Sequence, residues 1–231
     1  MKDPILAACA AVGLTAVLAA CGGSTASPGK PASSPSPSAT ATSTSAALPA
    51  GYHRIGGPAQ GVSLGVPSSW VSVNFAQQTL RQAVKKLGIH GLSQSTLTQD
   101  MQNLQKLHAV YAIDVSSIAT SPHHYATNIN AYCSTSGVTD TGSAGVALLR
   151  QSAVAEMQQI GATKLRQTDV RVGGVPGVRT AYSLSTSAEG VLRGLQLEVL
   201  PKADRACFIT LTGNGAPSGL LAQIASTVQY P

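Results

Sequence analysis

The sequence predicts an α+β fold in which helices pack on a mostly antiparallel sheet that one disulfide crosslinks. Four segments of alternating apolar residues follow one another between positions 165 and 212, and the short turns between them are typical of antiparallel strands. Helical patterns are grouped before position 108, over 145–161 and at the carboxyl end. Because helices and strands are segregated, the pattern favours an α+β sandwich over a doubly wound sheet.

The first part of the folded region predicts two strands, two helices and two further strands. Alternation of apolar residues gives the strand segments Tyr52–Ile55, Val62–Val66, Val110–Val115 and Ile129–Cys133. Apolar residues at helical spacing mark the helices, with Leu80, Val84 and Leu87 in the first and Leu97, Met101, Leu104 and Leu107 in the second. Gly56-Gly57-Pro58 predicts the turn between the first two strands.

The second part predicts a long helix, four strands in series and a final helix. Between Gly145 and Gly161, one helix face carries Val146, Leu149, Ala153, Met157 and Ile160. The strands are Leu165–Val172, Val178–Leu184, Val191–Leu200 and Ala206–Thr212, with turns at 173–177 and 201–205. A helix over Ser218–Val228 buries Leu220, Leu221, Ile224 and Val228.

The first 20 residues predict export and lipid anchoring. Ile5 to Leu18 is an apolar run of 14 residues, too short to cross a bilayer of about 30 Å as a helix but typical of a signal peptide. It ends in Leu18-Ala19-Ala20-Cys21-Gly22, which resembles the bacterial lipobox. We therefore expect residues 1–20 to be removed, the Cys21 thiol to carry a lipid, and the protein to lie on the extracytoplasmic face of the cell membrane.

Residues 21–50 predict the lipidated cysteine and a disordered linker, and residues 51–231 a single globular domain. From Gly22 to Ala50 the chain is mostly Ser, Thr, Pro, Ala and Gly, with Lys30 as its one charge and Leu48 as its one large apolar residue. Such a composition cannot build a core. At 3.1 Å per residue in a polyproline conformation, the linker would tether the domain within about 90 Å of the membrane.

The four cysteines leave one pair for a disulfide. Cys9 leaves with the signal peptide and Cys21 is acylated, so an oxidising compartment would join Cys133 to Cys207. Both alternate with apolar residues of a strand, which places them on a buried face. In the chain-entropy picture, a loop of about 75 residues gives roughly 4 kcal/mol of stabilisation. Neither cysteine belongs to a C-x-x-C unit, so the pair predicts structure rather than redox catalysis.

The charge distribution argues against a nucleic-acid partner. The chain has 15 Lys and Arg against 9 Asp and Glu, a formal charge of +6 that the loss of Lys2 and Asp3 leaves unchanged. The basic residues are scattered, and Lys85-Lys86 is the single adjacent pair. No basic stripe that would follow a phosphate backbone is visible. The expected partners are the membrane, through Cys21, and an envelope protein, polymer or lipid.

One motif has the form of a catalytic signature. Asp140-Thr141-Gly142-Ser143-Ala144 matches the active-site sequence of aspartic proteases, in which two carboxylates share a proton and activate water. The chain has one copy, so a hydrolase that uses Asp140 would need a symmetric dimer. The favoured interpretation is that Asp140 or Thr141 caps the helix that begins near Ser143.

Two further patterns predict loops rather than sites. Gly213-Asn214-Gly215 and Gly219 imitate a dinucleotide-binding loop, but no second parallel strand or ribose-binding acid follows them, so we expect a turn into a helix. His123-His124 could form half of a metal site, yet no further ligand lies near them in sequence, which favours an exposed loop. We therefore predict no catalytic residue, no cofactor and no metal.

A family resemblance adds to these observations. Gly61-Val62-Ser63-Leu64-Gly65-Val66-Pro67-Ser68-Ser69-Trp70, the long helix and the Gly174-Val175-Pro176-Gly177 hairpin resemble the PsbP-like fold, which actinobacterial lipoproteins carry. The likeness covers about residues 52 to 230. It implies a non-enzymatic α/β/α sandwich used for binding or assembly, and it brings no catalytic residues to this chain.

Three hypotheses about function follow. The first is a non-enzymatic, membrane-tethered binding or assembly module that contacts an envelope protein or polymer through its sheet face or loops. The second is a carrier or sensor of an apolar or lipid ligand, held in a gap between helices and sheet. The third is an aspartic-type hydrolase that uses Asp140 in a dimer.

Overall fold

The computed structural model describes residues 47–75, 102–122, 124–187, 189–215 and 218–231. The signal peptide, Cys21, most of the linker and the helix predicted around Leu80–Leu87 lie outside these ranges, while residues 102–106 form the described end of the second predicted helix. The described elements are β1 (Tyr52–Gly57), β2 (Val62–Pro67), β3 (Val71–Asn74), β4 (Val110–Ile113), α1 (Ser117–Thr120), β5 (Asn128–Thr135), α2 (Ser143–Gln159), β6 (Thr163–Val172), β7 (Val175–Thr186), β8 (Gly190–Lys202), β9 (Arg205–Gly213) and α3 (Ser218–Ala225).

The strands form a hairpin of β1 and β2 and a seven-stranded sheet in the order β3-β4-β5-β9-β8-β7-β6. Every pairing is antiparallel. After β5 the chain runs through α2 and the β6–β7–β8 meander before β9 returns to lie beside β5. The predicted antiparallel α+β architecture is confirmed.

The two sides of the large sheet are covered by different elements. The β1–β2 hairpin and α3 pack on one side, which we call the hairpin side, over the alternating apolar residues of the central strands: Ile129, Ala131, Leu197, Ile209 and Leu211. Helix α2 packs on β6, β7 and β8 from the opposite side, which we call the helix side. Since side chains alternate along a strand, each strand contributes to both layers.

The predicted disulfide is present. Cys133 in β5 and Cys207 in β9 are directly opposite each other, with their Cα atoms 4.0 Å apart. They lie on the hairpin side, and Cys207 is fully buried in the core there. The crosslink joins the two central strands, which are 74 residues apart in sequence.

Most predicted elements are confirmed with small shifts at their ends, but two elements were missed. β3 follows Trp70 directly and is only four residues long, with Val73 buried and its neighbours half-buried. α1 is a single helical turn between the segments predicted as strands at Val110–Val115 and Ile129–Cys133, where the sequence predicts no element. Both are too short to show a periodic pattern.

Two details at the amino end and in the meander refine the sequence boundaries. Leu48, which the sequence places in the linker, packs over Gly65 of β2. The turn predicted at 173–177 is tighter, because Gly173 and Gly174, both with positive φ, make the reversal and Val175 already belongs to β7. Positive φ at both central residues is what a two-residue hairpin turn requires.

Candidate functional site

Asp140 lies in the loop that leads into α2, and its side chain is exposed. Its Oδ1 accepts a hydrogen bond of 2.6 Å from the backbone N–H of Gly142. Gly142 is the residue before the first helical residue, and no side chain caps the helix. The predicted helix cap is therefore wrong, because Asp140 closes a turn one step earlier instead of binding the free amides of the first helical turn.

The same loop makes a close contact with the helix backbone. A Cβ atom on Gly145 would lie 1.7 Å from the carbonyl oxygen of Asp140 and 3.0 Å from Cδ1 of Leu200 in β8. A glycine at this position thus lets the loop and the sheet approach the first turn of α2. The backbone of Asp140 therefore packs against the first turn of α2.

The Gly213-Asn214-Gly215 segment leads from the end of β9 toward α3, as predicted. Asn214 connects loops at this end of the sheet: its Oδ1 accepts a hydrogen bond of 2.7 Å from Ser121, and its Nδ2 donates one of 3.1 Å to the carbonyl oxygen of Glu189. These bonds give the segment a structural role.

The histidines form no cluster in the described part of the chain. His124 is exposed in a loop and has a φ of 54°, while its neighbour His123 lies outside the described residues. His53 lies 3.4 Å from Ser72, measured from Nε2 to Oγ. Within the described ranges, no three His, Cys, Asp or Glu side chains are placed to hold a metal ion.

A polar row, buried at three of its five positions and partly buried at the other two, crosses the helix side of the sheet. The strand register aligns one side chain from each of five neighbouring strands, namely Asn130, Thr210, Gln196, Thr180 and Gln167. Thr210 donates to Gln196 Oε1 at 3.2 Å, and Gln167 Nε2 donates to Thr180 Oγ1 at 3.2 Å and to the carbonyl oxygen of Arg150 in α2 at 3.0 Å. The row therefore bonds strands to one another and to the helix above them.

Two carboxyl groups lie beside this row. Glu198 in β8 is fully buried; its Oε1 accepts a 2.9 Å hydrogen bond from Gln196, and its Oε2 has no partner among the described residues. Burial and, to a smaller extent, the nearby charge of Glu156 raise the pKa of Glu198 to about 8, and the hydrogen bond from Gln196 opposes them only weakly. Glu156, on the sheet-facing side of α2, is 7% exposed, and burial raises its pKa to about 7.

Aromatic side chains enclose the carboxyls. Tyr132 stacks on Phe208, its cross-strand neighbour, with ring centroids 5.1 Å apart. The ring of Tyr182 covers Gly194, where a Cβ would lie 2.0 Å from Cζ. Burial raises the pKa of both tyrosines. Burial therefore favours the neutral form of both carboxyls and both tyrosines in this layer under α2.

Two open grooves lie near the loops. One, of about 560 Å³, is lined by Ser117, Tyr125, Val191 and Asn214 among others. The other, of about 720 Å³, lies beside the first half of α2 and is lined by Val146, Pro176 and the ion pair of Arg150 with Asp169. Both combine polar and apolar groups and are open to solvent.

Three arginines share the hairpin side of the sheet at its β6 end. Arg166 in β6 is opposite Ala181, Arg179 in β7 is opposite Leu197, and Arg193 in β8 is opposite Ser183. Ala181 and Leu197 pack in the hairpin-side core, which fixes the side on which the arginines stand. We call Arg166, Arg179 and Arg193 the arginine patch. Arg166 and Arg193 are exposed and Arg179 is half-buried.

The arginine patch has no acidic counterpart in the described part of the chain. Its three members are absent from every ion pair and side-chain hydrogen bond found there, in contrast to Arg150, which pairs with Asp169. The acidic residues of β6 and β8, Asp169 and Glu198, alternate onto the helix side. The result is a sheet surface of one charge sign.

Sequence reasoning missed both the buried carboxyls and the arginine patch. Glu156 falls within the apolar face of α2 and Glu198 within an apolar strand, and an isolated acid in such a pattern gives no separate signal. The arginines are 13 and 14 positions apart, and only the strand register brings them together. The sequence held one clue: Arg179 is two residues from Ala181, and Arg193 is four residues from Leu197. An even spacing within one strand places each arginine on the same side of the sheet as that apolar residue.

Comparisons with known proteins do not assign the chain to a family. No protein-family model matches the chain, and no curated protein matches it. A crystal structure from Bacteroides thetaiotaomicron is similar at a TM-score of 0.45 and 8% identity, over 77% of this chain and 48% of that one. A Pseudomonas aeruginosa protein of unknown function has a TM-score of 0.28 and 17% identity, over 42% of this chain and 63% of that one. The chain thus spans about half of the Bacteroides protein and under two thirds of the Pseudomonas protein.

The buried carboxyls predict that stability falls as pH rises. Below pH 4.5 the carboxyls are protonated in both the folded and the unfolded chain; above it the unfolded chain loses protons that the folded chain retains up to about pH 7 and 8. Glu198→Gln cannot release a proton and keeps the bond to Gln196. We expect this variant to show a shallower decline in the free energy of unfolding between pH 4.5 and 8, and to exceed wild type at pH 8.

Urea unfolding at a series of pH values measures this effect. Each unit of difference between the folded and the unfolded pKa changes the free energy of unfolding by about 1.4 kcal/mol. Glu156→Gln provides the companion variant, and the double variant should flatten the profile further. Identical slopes for wild type and Glu198→Gln would contradict the assignment.

The close approach at Gly145 predicts a destabilising substitution. Gly145→Ala places a methyl group against the carbonyl oxygen of Asp140, so the loop or α2 has to move, at a cost of about 1–3 kcal/mol. Gly219→Ala in α3 is the matched control, because a Cβ there meets nothing within 4 Å and alanine favours helix by up to about 1 kcal/mol. Thermal unfolding compares them, and equal melting temperatures for the two variants would refute the contact.

Proposed function

We propose that the protein is a lipid-anchored, non-enzymatic binding module on the extracytoplasmic face of the cell membrane, and that the arginine patch is its contact surface. The observation that carries this proposal is the set of Arg166, Arg179 and Arg193 on one side of the sheet, two exposed and one half-buried, with no acidic partner among the described residues. Arginine is favoured at contact surfaces, because its planar guanidinium binds carboxylates and phosphates through paired hydrogen bonds. The partner that fits is an anionic component of the envelope.

The anchor and its position rest on the amino-terminal sequence. The apolar run of residues 5–18 and the lipobox-like segment around Cys21 support lipid attachment. Among the described residues, no helix has the length and apolar character needed to cross a membrane. The disulfide between Cys133 and Cys207 supports an oxidising compartment.

The finer fold assignment is also a proposal. α2 on one side of the antiparallel sheet and α3 on the other support the α/β/α arrangement of the PsbP-like fold. The sequence likeness around Gly61–Trp70 falls on β2, where Val62, Leu64 and Val66 are fully buried. In this arrangement the shared motif is a core element, which supports a scaffold role rather than a chemical one.

The alternative functions have less support. A carrier of an apolar ligand would be served by an enclosed apolar cavity, whereas the two grooves described above are open and partly polar. A hydrolase acting through Asp140 would need that carboxylate to share a proton with a second one. In the structure it accepts a hydrogen bond from the amide of Gly142.

Lipid attachment predicts a change of compartment in one cysteine variant. Cys21→Ser removes the thiol that would be acylated, so we expect the protein to leave the membrane fraction of its host and the mass of the attached lipid to disappear. Cys9→Ser is the control, since that residue lies within the predicted signal peptide. A Cys21→Ser protein that stays in the membrane with unchanged mass would overturn the anchor.

Native mass spectrometry of the full-length protein, extracted gently from its host membrane, separates binding module from carrier. We expect a bare monomer or a complex with a large partner. A persistent adduct of small-molecule mass, unaffected by charge-removing changes in the arginine patch, would instead support the carrier.

A further inference from the structure

We propose that the arginine patch, together with the exposed side chain of Val191, rests on the anionic phospholipid headgroups of the membrane that holds the lipid anchor. This inference deepens the proposed function, on which it rests, by naming the partner of that surface. It also fixes an orientation, in which the β6–β8 end of the hairpin side faces the bilayer.

The first argument is the geometry of the charges. Strands lie about 4.8 Å apart and alternate residues about 6.8 Å apart, so the register places the three arginine Cα atoms about 8 to 14 Å from one another. Long side chains on such a grid can each reach a separate phosphate. Three basic groups spread over neighbouring strands at the end of a sheet suit an extended layer of headgroups better than the interior of a cleft.

The second argument is an exposed apolar side chain beside the charges. Val191 is opposite Ser185 and stands on the same side of β8 as Arg193, two residues away. It is 54% exposed, one of the three large apolar side chains that are exposed in the described part of the chain. Val191 therefore lies at the Arg193 end of the arginine patch, and an apolar side chain next to basic ones is typical of surfaces that lie in a membrane interface.

The third argument is the absence of opposing charge. Glu189 is the acidic residue nearest to Val191 in sequence, and it is buried, with its carboxylate bound to the hydroxyl of Thr186. An anionic bilayer would therefore meet no acidic group of β6, β7 or β8 on this side.

The fourth argument is the tether. A basic side chain near an anionic leaflet raises the ratio of bound to free protein about fivefold, so three give roughly a hundredfold. This affinity is weak for a protein free in solution. The predicted linker from Gly22 to Ala50 would hold the domain at a millimolar effective concentration above the membrane, where a weak contact is enough to fix its orientation.

The experiment uses the mature chain from residue 21, coupled through the Cys21 thiol to a maleimide lipid in vesicles. Cys133 and Cys207 are joined to each other, so Cys21 is the reactive thiol of the mature chain. Trp70 is the sole tryptophan and serves as an energy donor to a dansyl-labelled lipid. Vesicles of phosphatidylcholine are compared with vesicles in which about a third of the lipid is phosphatidylglycerol.

We expect stronger energy transfer from Trp70 on the anionic vesicles, and its return to the phosphatidylcholine level in 0.5 M NaCl, where the Debye length falls to about 4 Å. The triple variant Arg166→Gln, Arg179→Gln, Arg193→Gln should lose the difference between the two vesicles. A control triple variant, Lys106→Gln, Arg171→Gln, Lys202→Gln, removes the same charge elsewhere and should retain it. Circular dichroism confirms that both variants are folded.

Equal transfer on both kinds of vesicle, or equal loss in the two triple variants, would overturn the membrane contact. Neither result bears on lipid attachment in the cell, because in this experiment the lipid is coupled to Cys21 artificially. Lipid attachment is tested separately by Cys21→Ser. If wild type and the arginine variant give the same transfer while the arginine variant alone loses a large partner in native mass spectra, the patch binds a macromolecule and not the bilayer.

Discussion

The pairing of β5 with β9 is the contact on which the rest of the structure depends. It joins the half of the sheet that contains β3 and β4 to the meander of β6, β7 and β8, and it requires residues more than 70 positions apart to meet. Closing so long a loop costs chain entropy before any core forms. The disulfide between these two strands removes much of that cost from the unfolded chain.

Once these strands are paired, the alternation of side chains divides the molecule into two layers of different chemistry. The hairpin side receives the largest group of aliphatic residues, and its stability comes from burial. The helix side has smaller apolar clusters together with amides, hydroxyls and the buried carboxyl of Glu198, which Glu156 of α2 faces; such polar groups stabilise little when buried unless they are satisfied. Hydrogen bonds depend on direction, so these groups help to position the helix. Gln167, for example, donates to the carbonyl oxygen of Arg150 in α2 and so favours one position of the helix over others.

The sequence predicted the described elements in which apolar residues repeat at a regular spacing over several residues. Long strands, α2 and the Cys133–Cys207 bond follow from periodicity and from counting cysteines. β3 could not be predicted, because four residues carry too little pattern, and the capping of α2 was mispredicted because Asp140 and Gly142 form a turn that composition does not specify. The buried carboxyls and the arginine patch depend on the pairing register, which a single sequence leaves open.

The last strand of the sheet, β6, has a consequence for how neighbouring copies meet. Its outer edge has no partner strand among the described residues, and such an edge can pair with another chain. Lys164, with a φ of 55°, lies where the register with β7 shifts, and Arg166, Asp169 and Arg171 follow it. A bulged, charged edge resists intermolecular sheet growth. Neighbouring copies at high local concentration would therefore remain separate molecules instead of joining into a continuous sheet.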